Sequence, residues 1–144
     1  MEYCVGKREN LINILELYKQ LDPINNDFSI ETANKIWDKI ENENIKYFIA
    51  KDNGKIIASC YIIIIPNLTY NGKSIGYIEN VITDEKYRRK GIGKKIMEMA
   101  INYAKEENCY KVILTSGIKR TIAHTFYETI GFNRKSKNAF ELRF

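Results

Sequence analysis

The stretch YRRKGIGKK, from Tyr87 to Lys95, sets five basic side chains around two glycines. Cations in the first turn of a helix oppose its macrodipole by about 0.3–1 kcal/mol each, so a helix starting here implies an anion that offsets them. Glycines let the backbone approach such an anion, and the free amides of the first turn point at it. The spacing discriminates among phosphate cradles. A P-loop needs G-x-x-x-x-G-K-[ST], and a dinucleotide fingerprint needs a third glycine where this chain has Ile96. The next strand, VILTSG, offers Thr115 and Ser116 but no acid for a ribose. What fits is R-x-x-G-x-G, met as Arg88-Arg89-Lys90-Gly91-Ile92-Gly93, with Lys94 adding charge. Elsewhere, Glu79 stands in the middle of the apolar stretch GYIENVI, where a carboxylate facing a core would be costly. Cys4, Cys60 and Cys109 are far apart and form no C-x-x-C pair, and the lone His124 completes no zinc set at a usual spacing. No metal is expected. Cys60, inside an apolar strand, reads as core, and a reduced, cytoplasmic compartment is the natural expectation.

The elements that must position these residues follow from periodicity. MEYCV reads as a first strand. KRENLINILELYKQL places Leu11, Ile14, Leu15 and Tyr18 at helical spacing until Asp22-Pro23. Ser29 and Glu31 open a second helix with Ile36 and Ile40 on one face and Trp37 beside them, and the polar loop before it leaves Phe28 exposed. IKYFIAK and KIIASCYIIII flank Asp52-Asn53-Gly54, a tight-hairpin signal, and Asn71-Gly72 separates the second of these from KSIGYIENVIT. Three antiparallel neighbours result. After the glycine loop, Ile92, Ile96, Met99, Ala100 and Tyr103 form one helical stripe. CYKVILTS reads as a short buried strand, parallel to the one before the loop in a right-handed β-α-β unit. TIAHTFYETIGF is a helix with Ile122, Phe126 and Ile130 in its core row, Tyr127 at the row's edge and Gly131 as its stop. AFELRF reads as a closing strand.

The fold class is therefore α/β (α+β): a mixed, mostly antiparallel sheet flanked by helices, in the order β-α-α-β-β-β-α-β-α-β, the last stretch open to division into two strands. With 144 residues and no linker or repeat, residues 1–144 read as one domain. The longest apolar run, IIASCYIIIIP, is shorter than the ~20 residues of a membrane span, and MEYCVGKREN does not read as a signal peptide. A net charge of +5 suits nucleic acid, a membrane surface or an anionic small molecule. No nucleic-acid reader motif accompanies it, so neither nucleic acid nor membrane is the expected partner.

Three segments carry a resemblance: IENVITDEKYRRKGIGKKIMEMA, YKVILTSG and AHTFYETIGF. Together they resemble the GCN5-related N-acetyltransferases, which move acetyl from acetyl-CoA to an amine. The resemblance implies that pantetheine enters beside Asn80–Thr83, along Val81, Ile82 and Thr83, with backbone groups of Val81 and Thr83 pairing to it. It makes the Val81 N–H the oxyanion donor. It lays the CoA pyrophosphate on Arg88, Arg89, Lys90, Gly91, Ile92, Gly93 and Lys94, and it sets Tyr127 beside the cofactor as the acid for the departing thiolate. A tyrosine near pKa 10 protonates a thiolate near 8.5 uphill by about 2 kcal/mol, a gap that an apolar crevice removes by raising the thiolate. The acceptor must be neutral. For an amine of pKa ~10.4 only about one molecule in 2,500 is neutral at pH 7, a deficit of roughly 4.6 kcal/mol, so a base is needed. Glu79 is the candidate, acting through a bound water if a strand distortion turns it toward the cleft; His124 is a weaker one. Arg120 stands where many members have asparagine.

The resemblance thus implies an acetyl-CoA-dependent N-acetyltransferase using direct transfer to a primary amine of a small molecule, without an acyl-enzyme through Cys109. A homodimer is left open. The alternatives are a catalytically silent acyl-CoA sensor on the same fold and a peptide N-acetyltransferase. Asp22, Asp27, Phe28 and Trp37 lie in the helix pair that shapes the acceptor site in this family. Aminoglycosides, polyamines, amino sugars and protein N-termini all remain open as acceptors; CYKVIL and ELRF resemble glucosamine-phosphate acetyltransferases.

Overall fold

Asn53 and Gly54 take positive φ (48° and 78°), the geometry that lets two residues reverse a hairpin in the sense of the strand twist. They join β2 (Ile45–Asp52) to β3 (Lys55–Ile65), and the register runs antiparallel from Asp52↔Lys55 to Ile45↔Ile63. The computed structural model describes residues 1–23 and 28–144. Around this hairpin the order is β1 (Glu2–Val5), α1 (Leu11–Tyr18), α2 (Ile30–Asn42), β2, β3, β4 (Ser74–Thr83), α3 (Ile92–Glu106), β5 (Cys109–Leu114) and α4 (Thr121–Thr129). The sheet follows chain order, β1-β2-β3-β4-β5, and the β1–β2, β2–β3 and β3–β4 ladders are all antiparallel. Contacts divide the chain into Met1–Ile113 and Leu114–Phe144.

Alternation along the strands assigns the two faces of the sheet in the first unit. On one face, Leu11, Ile14 and Leu17 of α1 and Ala33 and Trp37 of α2 bury Tyr47, Ile49, Ile56 and Ile82. The Ser29 hydroxyl caps α2 by accepting from the Thr32 N–H at 3.1 Å. On the other face α3 buries Ile92, Ile96, Met97, Ala100 and Ala104. Gly76 of β4 lies under that helix: a Cβ there would meet Ile62 Cδ1 at 3.0 Å and Ala104 Cβ at 3.3 Å, so the helix packs this closely only over glycine.

Several expectations need correction in detail. Met97 rather than Met99 is buried in α3. In α2 the buried pair is Ala33 and Trp37, and Ile36 is exposed. Phe28 is not exposed but packs against the α1–α2 core. Asp27 lies outside the described residues. In the second unit the buried residue of α4 is Tyr127, and Ile122 of the expected core row is 79% exposed. The reason lies after the helix. Gly131 turns the chain at φ 104°, the Phe132 N–H bonds back to the Tyr127 carbonyl at 3.1 Å, and the Phe132 ring lies edge-on to Tyr127 at 6.2 Å. AFELRF carries no strand: Phe140, Leu142 and Phe144 are exposed. Alternation states which side chains would share a face, but a strand forms only when a neighbour takes its backbone hydrogen bonds.

Candidate active site

The site starts from an irregularity in β4. Tyr61 pairs with Glu79 and Ser59 pairs with Ile82, so Cys60 alone faces both Asn80 and Val81. This is a β-bulge. Asn80 takes φ 50°, the left-handed region that asparagine tolerates better than other side chains. Without the extra residue, strict alternation would put Ile82 under α3; with it, Ile82 packs on the α1–α2 face. Glu79 sits half-buried next to Tyr61, and burial together with the Glu79 carboxylate pushes the Tyr61 phenol up. The distortion that could reorient Glu79 is therefore present, one residue after it.

The loop after β4 is tied down by residues that periodicity did not single out. Asp84 is only 2% exposed, yet its carboxylate is fully engaged. It accepts from Lys55 Nζ at 2.7 Å and from the Lys86 N–H at 3.0 Å, and the lysine beside it holds its pKa below the usual carboxylate range. The Asp84 N–H bonds the Ile57 carbonyl, Gln20 of the segment after α1 accepts from the Glu85 N–H at 3.1 Å, and the Tyr87 hydroxyl donates to Asp52 at 3.0 Å. An aspartate two residues before a backbone donor is a turn signal that VITDEKY does contain. Its partner Lys55, 29 positions away, is invisible to any local reading.

Beyond this anchor the backbone takes two left-handed residues, Arg89 at φ 60° and Gly91 at φ 77°, and then enters α3. No side chain caps α3, and its first turn carries no acid. A Cβ built on Gly91 meets nothing within 4 Å. Arg88, Arg89, Lys90 and Lys94 are exposed around it; Arg88 Nε donates to the Thr83 carbonyl, and Lys90 Nζ lies 5.0 Å from the Tyr87 ring centre. Uncapped amides, an open glycine and a ring of cations make a cradle for an anion.

In the second unit Tyr127 is 8% exposed and packed by Phe126 and Phe132. His124 donates from Nε2 to the Gly117 carbonyl at 2.8 Å, which ties its ring to the turn before α4. Arg120 is the N-cap position of α4 and makes no side-chain cap. Burial raises Cys109 and pushes Cys60 to about 12, which keeps both as thiols. Trp37 is core, its indole N–H donating to Glu41 at 2.9 Å, and Asp22 is exposed. A cleft of about 380 Å³ lined by Arg8, Trp37, Ile40 and Tyr47 opens beside β1, which β2 and β3 separate from β4, and Arg8 there is already paired with Asp38 and Glu41. Among the described residues no group of three or more His, Cys, Asp or Glu could hold a metal, and no helix is long and apolar enough to cross a membrane.

A sequence model of the acetyltransferase (GNAT) family matches residues 11–132. The chain belongs to that family. A glucosamine 6-phosphate N-acetyltransferase of Trypanosoma brucei brucei is 34% identical over 134 residues, 92% of this chain and 88% of that one. The crystal structure of a Trypanosoma brucei acetyltransferase superposes with TM-score 0.87 at 30% identity, covering 99% of both chains. N-alpha-acetyltransferase 30 of Xenopus laevis is 40% identical over 62 residues, 43% of this chain but 23% of that protein. As a GNAT enzyme the chain is an acyltransferase whose acyl donor is acetyl-CoA. The uncapped α3 amides, the unobstructed face of Gly91 and the cations around it have the chemistry to hold an anion of the kind that donor carries.

Proposed function

We propose that this protein transfers acetyl directly from acetyl-CoA to a primary amine of a small molecule, in a ternary complex and without an acyl-enzyme. The observation that carries the reading is the β4 bulge at Asn80, one strand-end away from the Gly91 cradle on the same strand–loop–helix unit. Acetyl-CoA supplies a thioester acyl group. Arg88, Arg89, Lys90 and Lys94 neutralise its pyrophosphate, and the amides from Gly91 to Lys94, Ile92 and Gly93 included, bond it. Val81, Ile82 and Thr83 give the edge along which pantetheine lies, and the Val81 N–H donates to the thioester oxygen as charge develops there. Glu79 takes the proton of the ammonium acceptor through water. Tyr127 gives its phenolic proton to the leaving sulfur, and the proton that the acylated nitrogen sheds restores the phenol; the new bond is N–C and the broken one C–S. The high thiol pKa values of Cys60 and Cys109 support a route without a cysteine acyl-enzyme.

Among acceptors, glucosamine 6-phosphate is the first to try, because a relative 34% identical across 92% of this chain bears that name. Peptide N-termini are the second reading, supported by the shorter match to N-alpha-acetyltransferase 30. We also read Met1–Ile113 and Leu114–Phe144 as parts of one acetyltransferase domain, since the family match runs across both, and we assign the enzyme to the cytoplasm. Thiol release from acetyl-CoA, measured with glucosamine 6-phosphate, a panel of primary amines and N-terminal peptides, tests the assignment. Release with a sugar amine supports it, release with peptides alone replaces it with the second reading, and binding of CoA without release with any acceptor identifies a silent sensor.

A further inference from the structure

Two buried hydroxyls lie under the bulge without a hydrogen bond of good geometry: Tyr18 Oη and Ser59 Oγ. Tyr18 is the last residue of α1 and packs against the cluster formed by Tyr47, Ile49 and Ile82. Ser59 is fully buried and pairs with Ile49 on one side and Ile82 on the other, in the register position next to the bulge. The hydrogen-bonding groups around the Tyr18 hydroxyl are Ser59, Tyr47 and the Asn80 side chain, and burial raises the phenol to about 12, which keeps it a proton donor. A buried hydroxyl without a partner is destabilising. The Tyr18 hydroxyl, at a helix end, has around it both Ser59 of a central strand and Asn80, the one residue of β4 with positive φ. The asparagine carboxamide has the chemistry to serve both, its oxygen accepting from Tyr18 O–H and its N–H donating to Ser59 Oγ. Gln20, two residues beyond Tyr18, holds the Glu85 N–H at 3.1 Å, so the same end of α1 also grips the loop that follows β4.

We propose that Tyr18 and Ser59 are positioning residues for acetyl transfer: they engage the Asn80 carboxamide, lock the bulge, and thereby aim the Val81 N–H and the Glu79 carboxylate. The inference rests on the reading of Val81 and Glu79 as reacting groups. It accounts for polar side chains at two core positions that an apolar residue of the same shape would fill more favourably.

The test uses Tyr18→Phe, Ser59→Ala and Asn80→Gly in the full chain. Glycine keeps the left-handed conformation at position 80 while removing the carboxamide. Misplacement of a reacting group by about 1 Å lowers turnover by up to roughly 10²-fold. The expected result is that Tyr18→Phe lowers kcat by about 10- to 100-fold, leaves KM for acetyl-CoA nearly unchanged, and does not lower Tm. Added to Asn80→Gly, it lowers kcat no further, because the shared partner is already gone. Amide exchange of the segment spanning residues 78–83, followed by mass spectrometry, should quicken in Tyr18→Phe. Unchanged exchange and unchanged kcat overturn the proposal, as does a Tyr18→Phe loss that is undiminished in the Asn80→Gly background. A loss of kcat that tracks a loss of Tm shows packing instead of positioning and also overturns it. Faster exchange with unchanged kcat leaves the lock standing and overturns the assignment of Val81 and Glu79.

Discussion

Alanine at position 91 separates backbone strain from ligand contact. Gly91 has φ 77° and a Cβ added to it meets no atom within 4 Å. The cost in the free protein is therefore the left-handed conformation alone, about 1–2 kcal/mol for an L-residue. At roughly 3 °C per kcal/mol for a chain of this size, Tm falls by about 3–6 °C. Gly72 supplies the matched control: its φ is 74° and its added Cβ also meets nothing within 4 Å. It precedes β4, whose 10 residues at about 3.3 Å each put it roughly 30 Å from the loop. Both variants should therefore lose the same Tm. Only Gly91→Ala should also weaken the donor site, because its methyl group stands where the pyrophosphate approaches the α3 amides. Loss of one charge-assisted hydrogen bond, about 1.5–3 kcal/mol, raises KM for acetyl-CoA by about 10- to 150-fold. Turnover at saturating acetyl-CoA should hold, since the bulge is untouched. Thiol release at varied acetyl-CoA, with thermal melts of both variants, provides the comparison. If the two variants share one KM, the loop is not the pyrophosphate cradle.

Three other perturbations probe separate parts of the site. Tyr127→Phe should lower kcat by about 10²- to 10⁴-fold with little change in KM for acetyl-CoA, as expected for a lost proton donor; wild-type turnover removes Tyr127 from that role. Glu79→Gln should depress kcat/KM most at low pH, where the neutral amine is scarcest, and a profile that keeps the wild-type shape and height excludes Glu79 as the base. Asp84, held below its ordinary pKa by Lys55, adds stability above the unfolded carboxylate pKa of about 4, and that stability is lost as pH falls through the lower folded value. Melts of Asp84→Asn and wild type should therefore differ at neutral pH and converge in acid, and a constant gap across pH contradicts the pairing.

The parts of this protein that were legible in the sequence are those written by adjacent residues. The Asn53-Gly54 reversal, the capping serine of α2 and the glycine loop with its helix follow from local φ preference, capping chemistry and period, and each is where those signals put it. The order of β2, β3 and β4 follows from the short connections between them, whereas β1 reaches the edge beside β2 only after the chain has passed through α1 and α2. What the period could not reach is who pairs with whom. Asn80-Val81 reads as two ordinary strand residues, and becomes a bulge only because Cys60 must face both. Asp84 is a turn residue until the fold brings Lys55 to it. Tyr127 stands at the edge of an apolar row until Phe132 folds back and buries it, and AFELRF has a strand's alternation without a strand's partner. Local conformational preference is a property of neighbouring residues; register, burial and charge pairing depend on residues that only the folded chain brings together.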